Sequence, residues 1–233
     1  MRTLAFIAVL ATGCAQTDSS DLLTSGIYAQ IAASASGDGT TRVTATLYVG
    51  NPLNLNFVNL SGDDQLVASQ GSAEMVMTET VLLNVVSHHA TFNTDNPGDQ
   101  FQVALERSVD NGARNSIAVL PERFTLDPLT TTTASRAQPL TLTWSPLDAP
   151  NSMRWEASGD CIELETQNLS VDAGTLTIEA DRLKKRMGEG ITDECPITIS
   201  VIRSRPGQLD PGYGKGGIIA GQQVRTVMLT STP

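Results

Sequence analysis

The sequence predicts an all-β chain, two antiparallel β-sandwiches behind an export segment, and three observations carry that prediction. The hydrophobic period along most of the 233 residues is two rather than 3.6, the mark of strands with one buried face. Threonine is abundant, with 27 Thr and 19 Ser against only 3 Lys, a composition that suits pleated surfaces better than helices. Gly, Asn, Asp and Pro recur at short intervals between the apolar runs, where turns are needed. A hydrophobic fraction of 40% can build packed cores, which sets global disorder aside. The formal net charge of −10 argues against nucleic acid as a partner, because backbone binding needs a basic face.

The first element is not a strand. Met1-Arg2-Thr3 leads into an uncharged apolar stretch from Leu4 to Ala11, followed by Thr12-Gly13-Cys14. One charge, a short apolar stretch and a small-residue site form the layout of an export signal, too short to cross ~30 Å of hydrocarbon as a helix. The stretch Leu10-Ala11-Thr12-Gly13-Cys14 resembles a bacterial lipobox, the site cut by signal peptidase II. The resemblance implies that residues 1–13 are removed and that the Cys14 sulfur carries diacylglycerol. In many species a further, palmitate-type chain sits on the amine. Two or three chains anchor firmly, at ~0.8 kcal/mol per buried CH₂. Ala15 after the cysteine, rather than Asp, implies sorting to the outer membrane, on its periplasmic or its surface side. The competing reading is an ordinary secretory signal with an incidental cysteine. Residues 14–24 then form the acylated Cys and tether, whose polar part, 15–21, reaches only about 15 Å.

Residues 25–127 are expected to form the first sandwich. Ile27, Ile31, Ala33 and Ala35 alternate with polar neighbours, then Ser36-Gly37-Asp38-Gly39 turns the chain into Val43, Ala45, Leu47 and Val49, a β-hairpin pattern. Further runs follow at 54–60, 66–69, 74–78, 81–92, 101–109, 116–120 and 123–126. Seven to nine short strands in about 105 residues suit an immunoglobulin-like sandwich. The Thr/Ser stretch at 128–139, flanked by Pro128 and Pro139, reads as a linker.

Residues 140–233 are expected to form the second sandwich, with strands at 140–144, 153–158, 162–165, 175–178, 197–203 and 224–230. Pro139-Leu140-Thr141-Leu142-Thr143-Trp144-Ser145-Pro146, with Trp155 eleven residues after Trp144, resembles the second and third strands of a fibronectin type III domain. That resemblance implies a sandwich, and the phase of Trp144 and Trp155 makes both of them expected core residues. Once Cys14 is set aside, only Cys161 and Cys195 remain, in a compartment where disulfides persist, so they are expected to be bonded to each other. Cys195 shares its phase with Ile197, Ile199 and Val201, whereas Cys161 shares its phase with Glu163 and Glu165, which puts the bond at strand ends. Charge is uneven: residues 21–125 carry 11 acidic and 4 basic side chains, residues 126–233 carry 13 and 10.

The sequence offers little catalytic chemistry. His88 and His89 are adjacent, so in a strand they face opposite ways and cannot share one metal or one proton relay. There is no G-x-S-x-G elbow. The glycine-rich segment 212–217 has Gly216 after Lys215, not the Ser or Thr of a phosphate loop, and reads as a flexible hairpin loop. Asp63, Asp64, Asp95 and Asp99 are weak calcium candidates, since acidic loops supply oxygen ligands, although turn formation already accounts for them. Arg182, Lys184, Lys185 and Arg186 form the one basic cluster and the candidate contact patch. The expectation is a lipid-anchored cell-envelope protein with a binding or structural role, no cofactor and a protein partner. The alternative is an accessory subunit of an envelope secretion or filament assembly; a hydrolase or carbohydrate-active enzyme stands third.

Overall fold

The computed structural model describes residues 16–50, 53, 56–148 and 151–233. The signal segment 1–13 and Cys14 lie outside the described residues. The first part contains β1 (Gln16–Asp18), β2 (Ile27–Ala35), β3 (Thr41–Val49), β4 (Phe57–Asn59), β5 (Gln65–Gln70), β6 (Ala73–Val76), β7 (Thr78–Leu82), β8 (Val85–Phe92), β9 (Gln100–Glu106) and β10 (Ala113–Val119). The second contains β11 (Thr125–Leu126), β12 (Thr133–Ser135), β13 (Leu140–Ser145), β14 (Ser152–Gly159), β15 (Glu165–Leu169), β16 (Thr175–Ile178), β17 (Cys195–Pro206) and β18 (Ile218–Thr232). Between β1 and β2 lie two single turns of 3₁₀ helix, Ser19–Asp21 and Thr24–Gly26. The all-β expectation holds.

One large sheet runs through the whole molecule in the order β1-β4-β3-β2-β18-β17-β14-β15, with β8 and β7 beside β3 and β12 beside β18. Two smaller sheets, β10-β9-β5-β6 and β11-β13-β16, cover it. The expected antiparallel pattern is broken at three places: β1 pairs β4, β12 pairs β18, and β18 pairs β2 in parallel. The reason is that strands from distant parts of the sequence meet edge to edge, where no hairpin dictates the direction.

Alternation works as the sequence suggests. In β2 every second residue from Ile27 to Ala35 is buried, and β3 answers with Val43, Ala45 and Leu47. These face Leu66, Ala68, Phe101, Val103, Leu105 and Ala118 of the covering sheet to form one core. A second core gathers Trp144, Met153, Trp155, Ile162, Leu176, Ile178, Ile197, Ile199 and Val201. Both tryptophans are core residues.

The division between the cores differs from the expected one. Leu120 belongs to the first core and Phe124 to the second, so the crossing lies at 121–123. Residues 128–139 are instead built into the second half: Ala134 is buried in its core and β12 pairs with Thr230–Thr232 of β18. The chain end also returns. The β17–β18 hairpin spans both halves, its loop 207–217 sends Tyr213 into the first core, and Ile219 follows it there. That loop closes the first sandwich through reciprocal backbone bonds between Gln208 and Ile117, at 2.8 and 2.9 Å. Two glycines permit the approach: a Cβ on Gly207 would stand 2.2 Å from the Ile117 carbonyl oxygen, and one on Gly221 2.0 Å from that of Val119.

The expected single run at 81–92 is a turn instead. Leu82 pairs with Val85 across a two-residue loop, Leu83 (φ 49°) and Asn84 (φ 66°), and β7 doubles back on β8. Both loop residues sit in the left-handed region that such hairpin turns demand. Asn tolerates it, whereas a leucine there costs about 1–2 kcal/mol.

Candidate functional site

The strands give the molecule two poles. Registers place Ile27 opposite Val49 and Ile218 opposite Gln30, and β18 then runs on to Thr232. At about 3.3 Å per residue, the strand direction covers about 55 Å from the level of Ile27 to the far end of β18. Gln16 lies at the Ile27 end, because β4 runs away from that pole and β1 runs parallel to β4. The far pole carries Cys195, opposite Ser231, and everything tied to it.

Cys161 and Cys195 are bonded, with Cα atoms 5.7 Å apart, one in the turn after β14 and the other opening β17. The bond therefore lies at strand ends, and its enclosed loop is stapled to the far pole. The 182–186 segment docks on that staple. The Arg186 amide donates to the Cys161 carbonyl (2.9 Å), the Glu163 amide to the Lys184 carbonyl (2.9 Å), and Ile162 bridges to Lys185. Leu183 points inward and is buried, which leaves its neighbours outside.

The four expected contact residues are brought together here but are not equivalent. Arg182 is paired with Glu165 and Lys185 with Asp193, whose carboxyl is held below its ordinary value by the Lys185 ammonium. Lys184 and Arg186 are exposed and have no ion-pair partner among the described residues. Beside them is an open groove of about 530 Å³ walled by Ile162, Glu163, Leu164, Arg186 and Met187. Leu164 is 72% and Met187 85% exposed. Arg186 next to two exposed flexible apolar side chains forms a surface able to take an acidic segment with an apolar anchor, and Lys184 stands on the adjoining face with Gln167, Thr177 and Arg182. Leu164 escaped the sequence reading because a strand at 162–165 would have buried it with Ile162; β15 instead starts at Glu165.

The calcium candidates are engaged otherwise. Asp64 is buried and accepts from the Arg107 Nε (2.9 Å) and the Ser108 amide (3.0 Å). Burial opposes its ionisation, but the Ser108 N–H, the Ser19 hydroxyl and the Arg107 guanidinium outweigh that and hold the carboxyl below its usual range. Asp95 is paired with Arg123 and accepts from the Gly39 amide, while Asp99 accepts from Thr94 and from the Asn96 amide. Asp63 lies exposed in the turn before β5. Among the described residues no group of three His, Cys, Asp or Glu side chains could hold a metal ion. His88 is buried against Glu79 at 3.4 Å, its pKa lowered by burial, and His89 faces the other way toward Thr80.

Sequence reasoning missed two buried cations. The Arg107 side chain is fully buried, reaching Asp64, the Thr24 hydroxyl (2.9 Å) and the Leu22 carbonyl (2.9 Å). Arg203, also fully buried, donates to the carbonyls of Glu122 (3.0 Å), Arg123 (3.2 Å) and Pro146 (2.7 Å) and to Asp172 (2.6 Å). Burial works against the Asp172 carboxylate, but the Asp148 amide, the Trp144 Nε1–H and Arg203 hold it in the ionised form. The guanidinium groups of Arg203 and Arg225 lie 4.9 and 5.4 Å from the Phe124 ring centroid. The crossing between the halves is thus a packed polar seam.

No family model and no curated protein matches the chain. Among solved structures, the chain is similar to the I9–I11 tandem of titin, at 11% identity over 85% of this chain and 65% of that one, with a TM-score of 0.24. It is similar also to a variant of titin domains I67–I69, at 8% identity over 87% and 62%, with a TM-score of 0.25. The chain therefore spans less than two thirds of either titin segment, and at such TM-scores neither likeness carries an argument.

Proposed function

We propose that the chain is a lipid-anchored protein of the bacterial cell envelope that acts by binding, built of two immunoglobulin-like sandwiches that carry a contact surface away from the membrane. The observation supporting this reading is polarity: Gln16 lies at one pole, and the groove walled by Arg186 and Met187 opens at the other. The groove's chemistry selects a protein partner with carboxylates flanking an apolar side chain. Lys184 and Arg186 steer it, so association slows as salt rises. A second reading, an accessory subunit of an envelope assembly, draws on β15. It ends the sheet order, pairs among the described residues with β14 alone, and starts at the rim of the same groove, so a partner strand could add along it.

The test is a photo-crosslinking residue in place of Met187 in the full chain, in its own cells. One dominant partner, lost in Lys184→Glu/Arg186→Glu and absent when the crosslinker replaces Val109 at the opposite pole, supports the reading. Equal capture from both poles defeats it. Cys14→Ser should move the chain out of the membrane fraction; unchanged fractionation removes the anchor.

A further inference from the structure

We infer that the β7–β8 hairpin tip is a membrane-inserting element that lies in a lipid surface beside the N-terminal anchor. The tip is apolar and open to solvent: Leu82 is 70% and Leu83 87% exposed, with Val81 and Val85 beside them also exposed. A soluble hairpin gains from Asn-Gly or Asp-Gly at its loop, and this one instead places a leucine in the left-handed position that the turn demands, at a cost to folding.

Position selects the occupant. The register Ala45↔His88 carries the tip to the level of Gly50, at the pole where the chain enters. The Gln16 side chain donates to the Asn84 carbonyl across the tip, at 3.5 Å. Cys14 is two residues upstream of Gln16, so an acyl anchor there has at most about 7 Å of extended chain before Gln16, at 3.3–3.6 Å per residue. Exposed Leu23, just before β2, and exposed Val109, in the β9–β10 loop, share this pole. Charge is unfavourable for attraction to anionic headgroups, because Asp21, Asp63 and Asp110 stand at the same end. Contact therefore rests on shallow insertion of apolar side chains rather than on attraction to charged headgroups. The inference rests on the reading of Cys14 as the anchor.

The experiment uses the full acylated chain in phosphatidylcholine vesicles containing lipids brominated on their acyl chains, which quench tryptophan only within the bilayer. Trp144 and Trp155 are buried in the second core and give a constant background. Leu83→Trp should show blue-shifted emission that the brominated lipid quenches, and Leu82→Trp, on an ordinary strand position, should repeat it. Lys184→Trp at the far pole should be unaffected. Replacing a third of the lipid with phosphatidylglycerol should not strengthen the quenching; a marked increase would mean that headgroup charge, not apolar insertion, drives contact. A chain that floats with the vesicles while both tip tryptophans stay unquenched overturns the inference and leaves the anchor standing. A native chain that fails to float removes the anchor reading and the inference with it.

Discussion

Each half of the molecule buries one arginine completely, and the two do the same job at different places. Arg107 sits at the entry pole and gathers the Leu22 carbonyl, Thr24, Asp64 and Asp110, so that the segment before β2 is clamped onto the first sandwich. Arg203 sits at the crossing and gathers carbonyls from 122, 123 and 146 together with Asp172. Backbone carbonyls of irregular segments lack ladder partners, and a five-donor guanidinium satisfies several at once. The halves differ in what else holds them. The second has two tryptophans and a disulfide of its own; the first is lined by small residues such as Ala29, Ala33, Ala45 and Ala68 and borrows Tyr213 and Ile219 from the chain end.

That asymmetry is open to direct attack. The largest effect should come from cutting the chain. A fragment of residues 16–127 loses Tyr213, Ile219 and the parallel partner of β2, and should lack cooperative unfolding, whereas residues 121–233 keep the second core whole and should retain it. Dispersed amide resonances from the 16–127 fragment would contradict this. Next come the arginines. Arg107→Met and Arg203→Met each strand buried carbonyls and a carboxylate, a loss of about 3–5 kcal/mol by denaturant titration. The first should also expose 19–26 to proteolysis and the second should not.

Their carboxylate partners set the acid limit. Asp64 and Asp172 are both held below their ordinary values, so the stability they contribute is complete above the unfolded value of about 3.9 and disappears as pH falls through the folded values. Asp64→Asn and Asp172→Asn should flatten the stability profile below about pH 4; an unchanged acid slope refutes the assignment.

Removing the disulfide by Cys161→Ala/Cys195→Ala should cost about 2–4 kcal/mol. The loss should appear in the near-ultraviolet signal of Trp144 and Trp155, with amide exchange in β2 and β3 little changed. The smallest effect has the opposite sign. Leu83→Gly relieves the left-handed leucine and should raise stability by about 1 kcal/mol or less, Gly being more flexible when unfolded. A destabilised Leu83→Gly would mean that the leucine packs against something within the chain.

Much of this was readable from residues. Alternation located β2, β3, β13 and β14, and the leftover-cysteine argument found the disulfide. The buried arginines were legible in principle: Arg107 continues the inward phase of Phe101, Val103 and Leu105, and Arg203 that of Ile197, Ile199 and Val201. A charge in the next inward slot of an apolar run signals a buried polar cluster at the strand end. The turn at Leu83-Asn84 carried no Gly or Pro to announce it. The return of β18 to β2 was beyond local reading, because nothing in the pattern of either strand names a parallel neighbour some 190 residues away. The groove walled by Arg186 and Met187 depends on Leu183 turning inward, which a run of basic residues conceals.

The uninterrupted passage of β17 and β18 through both halves has a mechanical consequence. A chain of separate beads would swing at each linker, and its tip would wander without disturbing its base. Here the two longest strands run through the crossing, and Arg203, Arg225 and Gln223 fill the place where a joint would lie. A force on Lys184 or Met187 is therefore delivered to the entry pole as torque on a lever about 55 Å long, and the far end changes direction only when the whole shaft tilts about its foot.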